Sequence, residues 1–148
     1  MNAYKALTDA NQKEFNKFPI FFAFNQKQFD EGMRKLGLDP SDTDKIYALK
    51  GTGGFHRRSD SDKLNEMFER HEKALDDAVK GDATGDGFIY EMFTYELENH
   101  EYSYTGSVGD ALDALGLTTE EVRENTALLH GLKKACAAQE GSANDAFK

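Results

Sequence analysis

Ile20-Phe21-Phe22-Ala23-Phe24 is a continuous apolar run closed off by Pro19 on one side and Asn25 on the other. It is too short to make a helix of its own, and it reads as a β-strand buried on both faces. Helical patterns flank it. Upstream, Tyr4, Leu7, Phe15 and Phe18 share one stripe of a helix over residues 3–17, which Pro19 stops. Downstream, Asn25 and Gln28 stand at capping-box spacing, Phe29, Met33 and Leu36 line one face, and Gly37 supplies a stop. A strand set between helices points to an α+β fold.

The pattern continues past the loop at residues 39–44. Ile46-Tyr47-Ala48-Leu49 and Phe55-His56-Arg57-Arg58 flank Gly51-Thr52-Gly53-Gly54, as the arms of a β-hairpin do. A phosphate-binding loop would need a helix N-terminus after the glycines, and none follows. Ser59 or Ser61 caps a helix running to about Lys80, with Leu64, Met67, Phe68, Leu75, Ala78 and Val79 on its apolar face. A second long helix is predicted from Phe88 to Tyr102. Ser107 with Asp110, and Thr118 with Glu121, repeat the capping-box spacing, and Leu128, Leu129, Leu132, Ala135 and Cys136 stripe the last helix. The expectation is five or six helices packed around a small two- to three-stranded sheet. Residues 1–139 read as one globular domain and 140–148 as a frayed tail.

Length and composition suit such a domain. The chain has 148 residues, 39% of them hydrophobic, with 11 Phe and 6 Tyr, enough for a packed core without staples. The single cysteine, Cys136, excludes an intramolecular disulfide and a Cys-based zinc site. The N-terminal sequence lacks the basic and apolar regions of a signal peptide, and no apolar stretch approaches the ~20 residues of a membrane span. These features favour a cytoplasmic protein that makes no membrane contact.

The net charge is −9. Thirteen acids against four bases place all of it between Ser59 and Glu101, while fourteen of each cancel elsewhere. Such a field repels nucleic-acid phosphates and attracts basic protein surfaces. On a helical wheel Tyr95 and Tyr102 fall beside Glu91 and Glu98, facing away from the core. With Asp76 and Asp77 of the preceding helix they form the candidate partner-binding set, since tyrosine rings and carboxylates suit a basic protein groove.

Several motifs invite chemistry. Asp82-Ala-Thr84-Gly-Asp86-Gly87-Phe-Ile89 matches the opening of an EF-hand loop, but Phe93 stands where calcium needs a bidentate Glu. Residues 115–132 have a helix-turn-helix cadence, yet Glu120, Glu121 and Glu124 surround the only Arg, Arg123, which opposes DNA reading. Lys50, His56, Arg57 and Arg58 form a basic cluster on the hairpin. His71, Glu96 and His100 fall on apolar helix faces. They read either as a satisfied buried polar group or as a metal or acid–base site.

The stretches FPIFFAFNQKQFDEGMRKLGL (18–38), YELENHEY (95–102) and GLKKAC (131–136) resemble a family of small acidic proteins of unknown function encoded by phages, mobile elements and gut bacteria. The resemblance spans residues 15–136. It implies no activity, cofactor or catalytic residue, only a setting in which small acidic proteins, anti-CRISPR proteins among them, inhibit host defence systems. The leading expectation is a non-enzymatic module that binds a basic protein surface, such as that of a CRISPR nuclease, without touching nucleic acid itself. The alternative is a small metal-binding protein or metal-dependent enzyme centred on His71, Glu96 and His100.

Overall fold

The computed structural model describes the backbone of residues 1–146 and the side chains of residues 1–140. Among them the elements are α1 (Ala3–Lys17), β1 (Ile20–Phe22), α2 (Gln26–Lys35), β2 (Ile46–Leu49), β3 (Gly54–Arg57), α3 (Ser61–Lys80), α4 (Phe88–Asn99), α5 (Tyr102–Thr105), α6 (Gly109–Ala114), α7 (Thr119–Glu124) and α8 (Thr126–Ala146). The fold is mixed helix and sheet, with eight α-helices where five or six were expected. The largest departure is the helix read from Phe88 to Tyr102. It ends at Asn99, and Glu101 turns left-handed at φ 55°, so α5 starts in a new direction. Ser107 does not form the expected box; its hydroxyl accepts from Gly109 N–H. Helix α8 runs to Ala146, and the tail read as frayed, 140–148, extends into residues outside the described ones.

The chain groups into two compact units, Asn11–Lys73 and Met1–Ala10 with Ala74–Lys148. The first holds the sheet, in antiparallel order β1-β3-β2. Its register aligns Phe21, Phe55 and Ala48 across the three strands. The Phe21 and Phe55 rings stack 5.3 Å apart, and Phe29 of α2 meets both edge-on. Gly32 lets α2 lie this close, since a Cβ there would run into the Phe21 ring. Asn25 caps α2 as expected, its side chain accepting from Gln28 N–H at 2.8 Å.

One expectation for this strand is corrected. β1 is an edge strand with α2 over one face, so period-2 alternation sends Phe21 inward and Phe22 outward. Phe22 is 47% exposed and Phe24 77%.

The second unit is built on α4. Ile89, Met92, Phe93, Glu96 and Leu97 are its buried positions, the spacing of an amphipathic helix with a broad inner face. Around them pack Tyr4 of α1, Tyr102, Ala111, Leu112, Val122, and Leu128, Leu132 and Ala135 of α8. Removing each large apolar side chain from water contributes roughly 1.5–3 kcal/mol.

Candidate functional site

Glu96 lies two turns from Ile89 on the inner face of α4, so its carboxylate is 8% exposed and needs a partner. Tyr4 supplies it, donating its hydroxyl to Glu96 Oε1 at 2.9 Å. His100, one turn on, places Nδ1 2.8 Å from the Glu96 carbonyl oxygen and 3.6 Å from Oε2. Burial first, and the bond to Glu96 second, hold the Tyr4 hydroxyl above its ordinary pKa.

His100 thus lies beside Glu96 but bonds its backbone carbonyl, and Tyr4, which sequence reasoning missed, is the hydrogen-bond partner of the carboxylate. No periodicity links positions 4 and 96. His71 is engaged elsewhere. Its Nε2 lies 2.7 Å from Glu14 Oε1, and Arg70 donates to the same carboxylate at 3.0 Å. These bonds, Arg70's first and His71's second, hold Glu14 below the usual carboxylate range. Glu14 and His71 belong to the sheet unit, Glu96 and His100 to the helical one. Among the described residues no group of three or more His, Cys, Asp or Glu could hold a metal ion.

The tyrosine–carboxylate face is also rearranged. Tyr102 is 6% exposed and donates to Glu140 Oε1 at 2.6 Å, because α4 ended before it and α5 turns it inward. Tyr95 is half-buried, its ring edge-on to Tyr4 at 5.6 Å. The Glu91 carboxylate accepts from the Ala3 N–H, and its carbonyl accepts from Asn2 Nδ2 at 2.8 Å. The wheel could not anticipate that α1 begins against this side of α4. Asp76, Asp77 and Glu98 remain exposed.

The charge sorts more sharply by unit than by sequence segment. The helical unit carries sixteen acids and six bases, a net −10, and the sheet unit eleven acids and twelve bases, a net +1. The acids of α3's first turns share the sheet unit with Arg57, Arg58 and Arg70. Those hairpin bases are largely occupied. Arg57 Nε donates to Asp60 at 2.8 Å, Arg58 lies 4.5 Å over the Tyr47 ring, and His56 is buried.

The EF-hand-like loop is closed by its own backbone. Asp82 Oδ1 accepts from Gly85 N–H, and Oδ2 accepts from Gly87 and Ile89 N–H, each within 3.1 Å. Burial raises its pKa, but the N–H bonds outweigh that and hold it low. Gly85, at φ 87°, is required because a Cβ would strike the Ala127 carbonyl.

The helical unit also has an apolar groove of about 210 Å³. Leu75 and Val79 of α3, Leu115 and Leu117 between α6 and α7, and Leu128 of α8 line it, with exposed Asp76 and Lys80 beside them. Sequence reading placed Leu75, Val79 and Leu128 in helix stripes but could not show that they leave a gap.

A model for a family of unknown function, DUF7659, matches residues 3–138. The chain belongs to the DUF7659 family. The match covers both units of this DUF7659 chain, and the family's description assigns no activity. No curated protein and no solved structure matches it. Among the described residues no helix is long and apolar enough to cross a membrane.

Proposed function

We propose that this protein is a non-enzymatic binding module whose acidic helical unit engages a basic protein surface. The observation that carries the reading is the division of charge, −10 on the helical unit against +1 on the sheet unit. A single-sign field on one compact body speeds encounter with an oppositely charged partner and disfavours nucleic acid. The contact acids are Asp76, Asp77 and Glu98, joined by Asp110, Asp113, Glu120 and Glu124 on α6 and α7, all exposed. In its most specific form the module comes from a phage or mobile element and occupies the nucleic-acid groove of a host defence enzyme, such as a CRISPR nuclease. That form rests on the charge and on the sequence resemblance.

The test is binding of the tagged protein to purified CRISPR nucleases without guide RNA, and to a panel of other basic nucleic-acid enzymes. A stoichiometric complex is expected with at least one, displaced by guide or target nucleic acid and weakened by moderate salt. Reversal of Asp110, Asp113, Glu120 and Glu124 to Lys should weaken it at least about tenfold, a loss of about 1.4 kcal/mol. Reversal of Glu66 and Glu69 on the sheet unit should not. Equal effects from the two sets, or none from either, overturn the reading.

A further inference from the structure

The groove beside Asp76 has a shape and a setting that narrow the partner. Leu75, Val79, Met92, Leu115, Leu117 and Leu128 form the apolar lining of about 210 Å³, which Asp76, Lys80 and Asn125 complete. Pockets that hold whole small-molecule ligands usually run to about 300–1,000 Å³. This space instead suits one or two large apolar side chains.

The elements around it carry the charge. In the helical unit, α3 presents Asp76, Asp77 and Lys80, and α6 and α7 present Asp110, Asp113, Glu120, Glu121, Arg123 and Glu124. Seven acids against two bases leave a net −5 on these elements, with all nine side chains exposed, while the slot's own lining carries one charge of each sign, Asp76 and Lys80. An occupant must therefore bring apolar anchors on one side and positive charge on the other. An amphipathic basic helix does both, laying residues at i, i+3 or i+4, and i+7 into a groove while its Lys and Arg meet the rim.

We infer that this groove is the docking site for a basic amphipathic helix of the partner protein. The inference rests on the reading of the helical unit as a binder of basic surfaces, and it specifies how that surface is held. Leu or Phe side chains enter between Leu75, Leu117 and Leu128, and a Lys or Arg one turn away pairs with Asp76. The apolar anchor fixes the register, and the surrounding acids set the rate of encounter.

The experiment uses two peptides of about 18 residues, long enough to form a helix of several turns. One is a Leu/Lys/Arg sequence with leucines on a single helical face. The other has the same composition, scrambled so that the leucines are dispersed. Binding is followed by NMR shift mapping on the full chain and by fluorescence anisotropy. The ordered peptide is expected to bind at least about tenfold tighter than the scrambled one, a gap of about 1.4 kcal/mol. Its perturbations should centre on Leu75, Val79, Leu117 and Leu128. Asp76→Lys, at an exposed site that leaves folding intact, should weaken the ordered peptide several-fold more than the scrambled one. Equal affinity of the two peptides overturns the groove proposal while leaving the acidic-surface reading in place. Absence of binding by either overturns both. Concentration-dependent self-association that protects the same leucines and resists the peptide assigns the groove to a second copy of the chain and overturns the proposal.

Discussion

Tyr4 and Glu96 meet across ninety-two positions of sequence, the hydroxyl donating to the carboxylate at 2.9 Å inside the core of the helical unit. Tyr4→Phe keeps the ring packing and removes only the donor, which strands a buried carboxylate oxygen. The expected cost is about 1–3 kcal/mol in urea unfolding. Glu96→Gln retains an acceptor for the hydroxyl and should cost less. If Tyr4→Phe unfolds with the parent, the bond contributes nothing.

The same tyrosine makes stability depend on alkali. Burial, then the bond to Glu96, raise the pKa of Tyr4; the bond to Glu140, then burial, raise that of Tyr102. Above pH ~10 the unfolded chain releases these phenolic protons while the folded one keeps them, so the unfolded state binds fewer protons and stability falls as pH rises. The contribution is complete below that pH. Thermal scans from pH 8 to 11 should show a decline that is shallower in Tyr102→Phe. An unchanged slope in that variant contradicts the assignment.

Asp82 tests what its loop is for. Its carboxylate collects the N–H groups of Gly85 and Gly87 ahead of α4 and of Ile89 in its first turn, the work of a helix cap. Asp82→Ala should cost about 1–2 kcal/mol, as cap removal does. Because its folded pKa is lowered, the contribution is present above the ordinary carboxylate range and drains away as pH falls below about 4. Millimolar calcium should leave the melting temperature unchanged. A calcium-dependent rise would show the oxygens to be available to a cation.

Thr94 carries a buried hydroxyl oxygen that makes no hydrogen bond among the described residues. Thr94→Val replaces it with a methyl of similar shape. Denaturation should find the variant equal to the parent or about 1 kcal/mol more stable, since an unsatisfied polar group costs that much or more. A loss of stability would reveal a partner for the hydroxyl.

Local chemistry was the legible part of the sequence. Asn25 caps α2 and Thr118 caps α7, its hydroxyl accepting from Glu121 N–H at 3.1 Å, because such contacts span only three residues. The hairpin and the inner stripe of α4 followed from period 2 and period 3.6 for the same reason. What failed depended on distant chain. The run at Ile20–Phe24 carries no mark saying that β1 lies at an edge, so Phe22 and Phe24 looked buried. A wheel extended to Tyr102 presumes a continuous helix, and one left-handed residue, Glu101, invalidates it. His71 looked inward correctly enough, being half-buried, but its carboxylate was Glu14, fifty-seven positions away.

The helical unit is assembled from both ends of the chain, residues 1–10 and 74–148, with the sheet unit, 11–73, as one uninterrupted stretch between them. That order gives synthesis a direction. At roughly 5–20 residues per second, the first turn of α1 leaves the ribosome several seconds before Glu96 has been made. The sheet unit has all of its residues by then. It can close while Tyr4 waits, so residues made well before the sheet unit are among the last to find their place. A fragment starting at residue 74 would contain α4 through α8 and still leave Glu96 without its hydroxyl.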